Sequence, residues 1–225
     1  MKGLKVILIF GSLLILEKNF AQGIELELLF QPALTSLRGN ETIKRNFDPA
    51  INFSAGVGIN YFLNASSVIN VYVLYDKKGG KGESYLEIRD PQNQIISQEI
   101  ATYKSNYDYI TIPIQWGQTF GGKVKFQFGI GLYGGYLLKH ELMAKGIDGI
   151  VDGKENNTDK FKKFDFGLSA SFCMYIPIDE LASIKIGLND NLGLINVSNV
   201  PVADDGTIKH NSLGLSLGLN YRILN

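Results

Sequence analysis

The chain has 225 residues, with 22 Lys and Arg against 22 Asp and Glu and a formal net charge of zero. That length allows one domain or two small ones, and the charge balance excludes the basic face that nucleic-acid binding requires. A single cysteine, Cys173, excludes an intrachain disulfide and a cysteine-rich metal site.

The chain begins with a targeting pattern. Lys2 and Lys5 precede an apolar run, "VILIFGSLLIL" from Val6 to Leu16, which is too short for a transmembrane helix. Cleavage after Ala21 is expected, with residues 1–21 as signal peptide and 22–225 as the exported domain. No cysteine follows the apolar run, so a lipoprotein anchor is not supported.

The exported part reads as eight strands, because apolar residues recur at every second position. "GIELELLFQ" from Gly23 is the first. "NFSAGVGINYFL" sets Phe53, Ala55, Val57, Ile59 and Tyr61 against Ser54, Gly56, Gly58 and Asn60. "SVINVYVLYD" from Ser67 and "DYITIPIQWGQ" from Asp108 follow. "KVKFQFGIGLYGGYLL" places Phe126, Phe128, Ile130 and Leu132 opposite Lys125, Gln127, Gly129 and Gly131. "FDFGLSASFCMYI" does the same with Phe164, Phe166 and Leu168 against Asp165, Gly167 and Ser169. "SIKIGLNDNLGLI" from Ser183 and "SLGLSLGLNYRILN" from Ser212 close the series. Strict alternation places Asp190 on the apolar side; a β-bulge at Leu188–Asn191, or a place near the rim, is expected to relieve it.

The connections alternate in length. Short turns join strands two and three, four and five, and six and seven. Long ones lie near residues 34–50, 77–107, 139–161 and 196–211. In an up-and-down barrel this gathers the long loops at one end, as in transmembrane barrels with short periplasmic turns. Within the second long connection, "SYLEIRDPQNQIISQEIAT" reads as two arms about a turn at Asp90-Pro91-Gln92-Asn93. A projecting hairpin is preferred there; a ten-stranded barrel is the rival.

Composition of the second face decides the solvent. A soluble sandwich turns Lys, Glu and Thr to water. Here the second face is mostly Gly, Ser and Asn, which suit the narrow interior of an eight-stranded barrel. The apolar face is therefore read as lipid-facing. Aromatic girdles follow from the same topology: Tyr61, Trp116 and Tyr221 at the periplasmic ends, and Phe53, Tyr75, Tyr136 and Phe164 at the outer ends.

With these patterns in view, the chain resembles the PorT-like outer-membrane β-barrel family. The resemblance rests on "YITIPIQW" (Tyr109–Trp116), "KFDFGLSASF" (Lys163–Phe172), "LGLINV" (Leu192–Val197) and the glycine-rich closing strand. Thr111 stands where the family often carries an inward glutamate, and the chain ends Ile223-Leu224-Asn225 rather than on an aromatic. The resemblance implies an integral outer-membrane protein, a client of the barrel-insertion machinery, in a family where some members assist secretion.

Chemistry-bearing residues are few. Glu25, Glu27, Lys125, Lys185 and Arg222 fall inward near the periplasmic end, with Glu25 or Glu27 expected beside Arg222. Buried charges need partners, so a salt-bridge plug is favoured over a conducting or gating site. His140, Glu141 and His210 read as solvated loop residues, and Cys173 as packing. Asp148, Asp152, Glu155 and Asp159 lack calcium-loop spacing. No catalytic, cofactor or metal site is expected. The function expected is structural or partner-binding, through the external loops and in contact with outer-membrane lipid, with a secretion-system or surface protein as partner. The alternatives are a small-solute channel and an adhesion or ligand-binding barrel.

Overall fold

The structure, a computed structural model, describes residues 23–145 and 152–224; the expected leader and Asp148 lie outside them. Eight antiparallel strands close a ring. They are β1 (Gly23–Arg38), β2 (Asp48–Phe62), β3 (Ser67–Arg89), β4 (Ile95–Gly121), β5 (Lys125–Lys145), β7 (Phe164–Pro177), β8 (Ala182–Gly193) and β9 (Lys209–Leu224). Each pairs with its neighbours in sequence, and β1 with β9 completes the circle. A short strand, β6 (Asp152–Asn156), only flanks the outer end of β5 at Glu141–Lys145 and adds no stave to the ring. The all-β, eight-stranded barrel expected from the alternation is the architecture found, and the ten-stranded rival is not.

Three tight turns, at residues 63–66, 122–124 and 178–181, share one end. The second of these follows Gly121, whose φ of 109° suits glycine. The first long connection folds into a short helix, α1 (Glu41–Asn46), whose N-terminus is capped by the Asn40 side chain accepting from the Ile43 N–H.

Burial is inverted relative to a soluble domain. Leu28 is 61% exposed, Ile51 77% and Phe172 50%, whereas Glu27, Asn60 and Asp76 are each 1% exposed. A closed ring satisfies every backbone group within itself, so the apolar band can meet hydrocarbon. Glycine on the inner face admits large side chains. A Cβ on Gly58 would lie 2.3 Å from the Tyr72 ring, and one on Gly129 would lie 2.5 Å from Ser171 Oγ.

Two expectations left open are resolved by the structure, Asp190 in favour of the rim and the second long connection in favour of the hairpin. The bulge at Leu188–Asn191 is not formed: β8 keeps regular register with β7 and β9, and Asp190 faces outward opposite Ala170 and Leu213. It is half-buried near Asn211 and within the field of Arg38, where the outer face has turned polar at the rim. The second long connection is the projecting hairpin preferred from the sequence, with longer arms than the sequence showed. β3 and β4 run on through it in unbroken register, from Lys77↔Asp108 to Ile88↔Ser97. The turn forms at Asp90, whose carbonyl accepts from Asn93 N at 2.9 Å. Glycines 79, 80 and 82 and the charges around them break the apolar alternation that marks a strand in sequence, yet paired backbone needs no such pattern.

Leu28 lies midway along the lipid-facing side of β1, opposite Val57 and Leu219. Leu28→Arg should lower stability by about 2–4 kcal/mol. Urea unfolding in phospholipid vesicles, followed by gel mobility, measures this; the neighbouring exterior of the β3–β4 tip should tolerate Tyr85→Arg without a comparable loss.

Candidate functional site

The lumen is filled in layers. Nearest the short turns, Arg222 on β9 donates through Nε and Nη2 to Glu25 Oε1 on β1, at 3.2 and 2.8 Å. One step deeper, Lys185 on β8 donates to Glu27 Oε1 and to Tyr72 Oη, both at 2.9 Å, while Tyr72 and Asn60 each donate to Glu27 Oε2 at 3.0 Å. Glu27 thus pairs with Lys185 rather than Arg222. Lys125 forms no ion pair among the described residues, contrary to the paired cluster expected; β5 holds it on the wall opposite β1.

The middle of the barrel is neutral. Gln31 donates to Ser216 Oγ at 2.6 Å, and Gln115 donates to Ser169 Oγ at 2.7 Å and accepts from Ser171 at 2.8 Å. A small cavity of about 10 Å³, on the scale of a single water site, lies there among Gln31, Gln115 and Ser216.

Above it sits a second ionic layer. Lys78 Nζ lies 3.0 Å from Asp165 Oδ2 and 3.6 Å from Asp76 Oδ2, with all three side chains buried. Tyr133 donates to Asp165 at 3.1 Å, Ser54 and Thr111 donate to Asp76 at 2.8 and 2.9 Å, and the His210 Nδ1–H points at Asp165 from 3.3 Å. Thr111 therefore serves the carboxylate of the neighbouring strand at the position where the resemblance implies a glutamate. The Lys78 ammonium also lies 4.3 Å from the Tyr133 ring centroid, a cation–π contact.

An apolar cap closes the outer end. Leu37, Ile43 of α1, Tyr107, Tyr109 and Leu137 are buried together, and Phe47, Phe161, Val202 and Ile208 pack on them. The two histidines belong to this cap, not to solvent: His140 is 3% exposed and His210 1%. Their rings flank Tyr107, with centroids 4.3 and 4.6 Å away. His140 Nε2 shares a hydrogen bond with Ser105 Oγ at 2.8 Å, while the carboxylate, Asp165, belongs to His210. Tyr107 thus separates a serine–histidine pair from a histidine–carboxylate pair, and both are buried. A hydrolytic triad needs one imidazole to join nucleophile and carboxylate.

Sequence alone missed Lys78, Asp165 and the histidines as a unit. Asp165 was in phase with the inward Gly167 and Ser169, which was a usable signal. Lys78 is in phase with the inward Tyr72, Leu74 and Asp76, but it lies just where the apolar residues of the opposite face give way to Lys77 and Gly79, so the strand pattern stops short of it.

On the outer surface, Phe53 and Tyr75 lie 6.1 Å apart by ring centroid, and Tyr136 and Phe164 lie 5.5 Å apart. Tyr61, Trp116 and Tyr221 face outward near the opposite end, where Tyr61 and Trp116 flank Ile69. Beyond the outer aromatics, β3 loses β2 after Lys81, and β4 loses β5 before Thr102. Residues 83–101 are therefore a two-stranded ribbon with both edges unpaired among the described residues. Its outward side carries Tyr85, Ile96 and Ile100, at 75%, 67% and 53% exposure.

A family model described as outer membrane protein beta-barrel domain matches residues 20–199. Among solved structures, Neisserial surface protein A (NspA) is similar with a TM-score of 0.51 at 15% identity, over 90% of this chain and 99% of that one. The attachment invasion locus protein Ail of Yersinia pestis gives 0.42 at 10% identity, over 89% and 99%. The outer membrane protease OmpT of Escherichia coli gives 0.40 at 10%, over 92% and 99%. At 15% identity the likeness to NspA is one of fold. No curated protein sequence matches the chain.

Two outcomes follow for the lumen. Lys78→Met should destabilise by about 3–5 kcal/mol, because it leaves the buried Asp76 and Asp165 carboxylates without their cation. The triple variant Lys78→Met with Asp76→Asn and Asp165→Asn should recover most of that loss, and a mutant cycle in urea reads both. His140 lies four residues beyond Tyr136, outside the lipid-facing band, and burial first, then His210, pushes its pKa down to about 4. The unfolded chain takes up this proton near pH 6.5, so the cap should lose stability as pH falls from about 6.5 to about 4. Hydrogen exchange of α1 amides over that range should speed up, and His140→Gln should flatten the dependence.

Proposed function

Because the chain belongs to the outer membrane protein beta-barrel domain family, we propose that it is a non-conducting, non-enzymatic outer-membrane barrel that acts through its external ribbon. The ribbon is the observation that carries this reading. Residues 83–101 present two backbone edges unpaired among the described residues and a side on which Tyr85, Ile96 and Ile100 stand exposed beside the Glu87–Arg89 pair. Exposed strand edges are templates for an added strand, with main-chain hydrogen bonds giving affinity and the apolar side chains giving choice. Below the ribbon the outward face is polar, with Lys77, Lys81, Lys104 and Asp108 above the outer aromatics. That collar suits lipid headgroups, so the apolar side chains beyond it stand clear of the bilayer. The partner is a protein segment that adds to this edge.

The layered lumen supports absence of conduction. Two ionic networks, a hydroxyl–amide layer and an apolar cap lie in series along the axis. The PorT-like resemblance supports a partner within a secretion system, with the chain as an accessory of that system and a client of the insertion machinery during its own biogenesis.

Purified protein in planar bilayers should show no stepwise conductance. A photo-cross-linker at Ile96 in cells should give a discrete protein adduct, and one at Leu28 should give none. In a deletion strain a subset of secreted or surface proteins should be depleted. Stepwise currents would return the channel reading. Unchanged surface and secreted proteins would remove the secretion role.

A further inference from the structure

The short-turn end of the lumen is hollow, unlike the layers above it. A cavity of about 210 Å³ opens there, between the Glu25–Arg222 pair on one wall and Lys125 on the other. β5 and β1 are four staves apart in a ring of eight, so Lys125 and Glu25 face each other across the diameter. The Glu27–Lys185–Tyr72 layer closes the inner end. The space is therefore a blind vestibule that opens towards the periplasm.

Its polar groups are unevenly committed. Arg222 directs Nε and Nη2 to Glu25, which leaves Nη1 without a partner among the described residues. Lys125 is half-buried and makes no ion pair among them. Thr119 Oγ1 accepts from Gln127 at 3.4 Å and retains its own proton to donate. Gln127 in turn accepts from Tyr175 at 3.2 Å, so the wall around Thr119 is held in place. The acidic groups are at the lip. Asp179 accepts the Leu181 and Ala182 N–H groups within its turn, at 2.8 and 2.6 Å, and Glu180 is exposed. Lys123 is exposed on the turn between β4 and β5. Glu25 and Arg222 neutralise each other, and water screens the lip charges. The ammonium of Lys125 is left as the uncompensated charge of the interior, with donors from Arg222 and Thr119 converging on the same space.

We propose that this vestibule binds a small oxyanion, a carboxylate or phosphate group presented from the periplasm, held between Lys125 and Arg222. Charge-assisted hydrogen bonds to an oxyanion are stronger than neutral ones, and the partly enclosed site strengthens them further. The inference is independent of the external ribbon, because it concerns the opposite end of the barrel.

The test is calorimetric titration of the leader-free protein in detergent micelles with inorganic phosphate and, separately, with acetate, at constant ionic strength. At least one should bind saturably at one site per chain. Lys125→Gln should weaken that binding about tenfold or more, while Lys104→Gln on the outer rim should leave it unchanged. Lys125→Gln removes no ion pair found among the described residues, and heat-modifiable gel migration verifies that the variant is folded. Binding of phosphate but not acetate identifies a phosphate-bearing ligand, and the reverse identifies a carboxylate. Absence of saturable binding of both into the millimolar range overturns the proposal. So does binding that Lys125→Gln leaves unchanged.

Discussion

Contact between an apolar exterior and hydrocarbon is the constraint on which the rest of this protein depends. Leucine, isoleucine and phenylalanine line the outside of all eight staves, while glutamate, lysine, asparagine and serine fill the inside. In water that arrangement would expose the groups that drive folding and bury those that oppose it. In a bilayer it is favourable, because a closed ring leaves no backbone group unpaired against lipid. The tight turns at one end and long excursions at the other follow from insertion across a membrane rather than from packing.

Once the exterior is assigned to lipid, the interior must be held together by polar contacts. Eight staves enclose little room, and the chain fills it with side chains of two kinds. Gly58 and Gly129 clear space for Tyr72 and for the Gln115–Ser171 contact. Charged groups then appear only where both signs meet: Glu27 with Lys185, and Asp165 and Asp76 with Lys78. Each pair is wrapped by tyrosine or hydroxyl donors, as a buried charge needs. The plug is thus built from the inward positions of the same strands whose outward positions meet lipid. Lys125 departs from this pattern, and it does so at the end where the lumen is hollow.

The barrel was legible in the sequence because period-two alternation and alternating loop length are local signals that survive without alignment. Much of the inner surface was legible for the same reason: Glu25, Glu27, Lys185 and Arg222 sit in clean alternation, so their inward direction could be read off. What could not be read was distance across the lumen. Strand shear decides that Glu27 meets Lys185, two staves away, and shear has no local signature, whereas Glu25 beside Arg222 follows from the closure of the first strand on the last. Nor could alternation be followed where β3 and β4 leave the membrane, since side chains beyond the lipid band no longer need to segregate. Lys78 disappeared into that stretch, and with it the upper ionic layer. His140 and His210 looked solvated because they stand among polar neighbours; it is the cap formed by α1 and the last long connection that buries them.

The most direct test of the central claim is a nitroxide scan along the closing strand, Ser212 to Ile223, in a Cys173→Ala background reconstituted in lipid. Collision with oxygen, which concentrates in hydrocarbon, should rise and fall with a period of two, high at Leu213, Leu215, Leu217 and Leu219 and low at Ser212, Gly214, Ser216 and Gly218. A flat profile, or one in which the leucines are shielded from oxygen and a water-soluble quencher reaches the serines, would contradict the account.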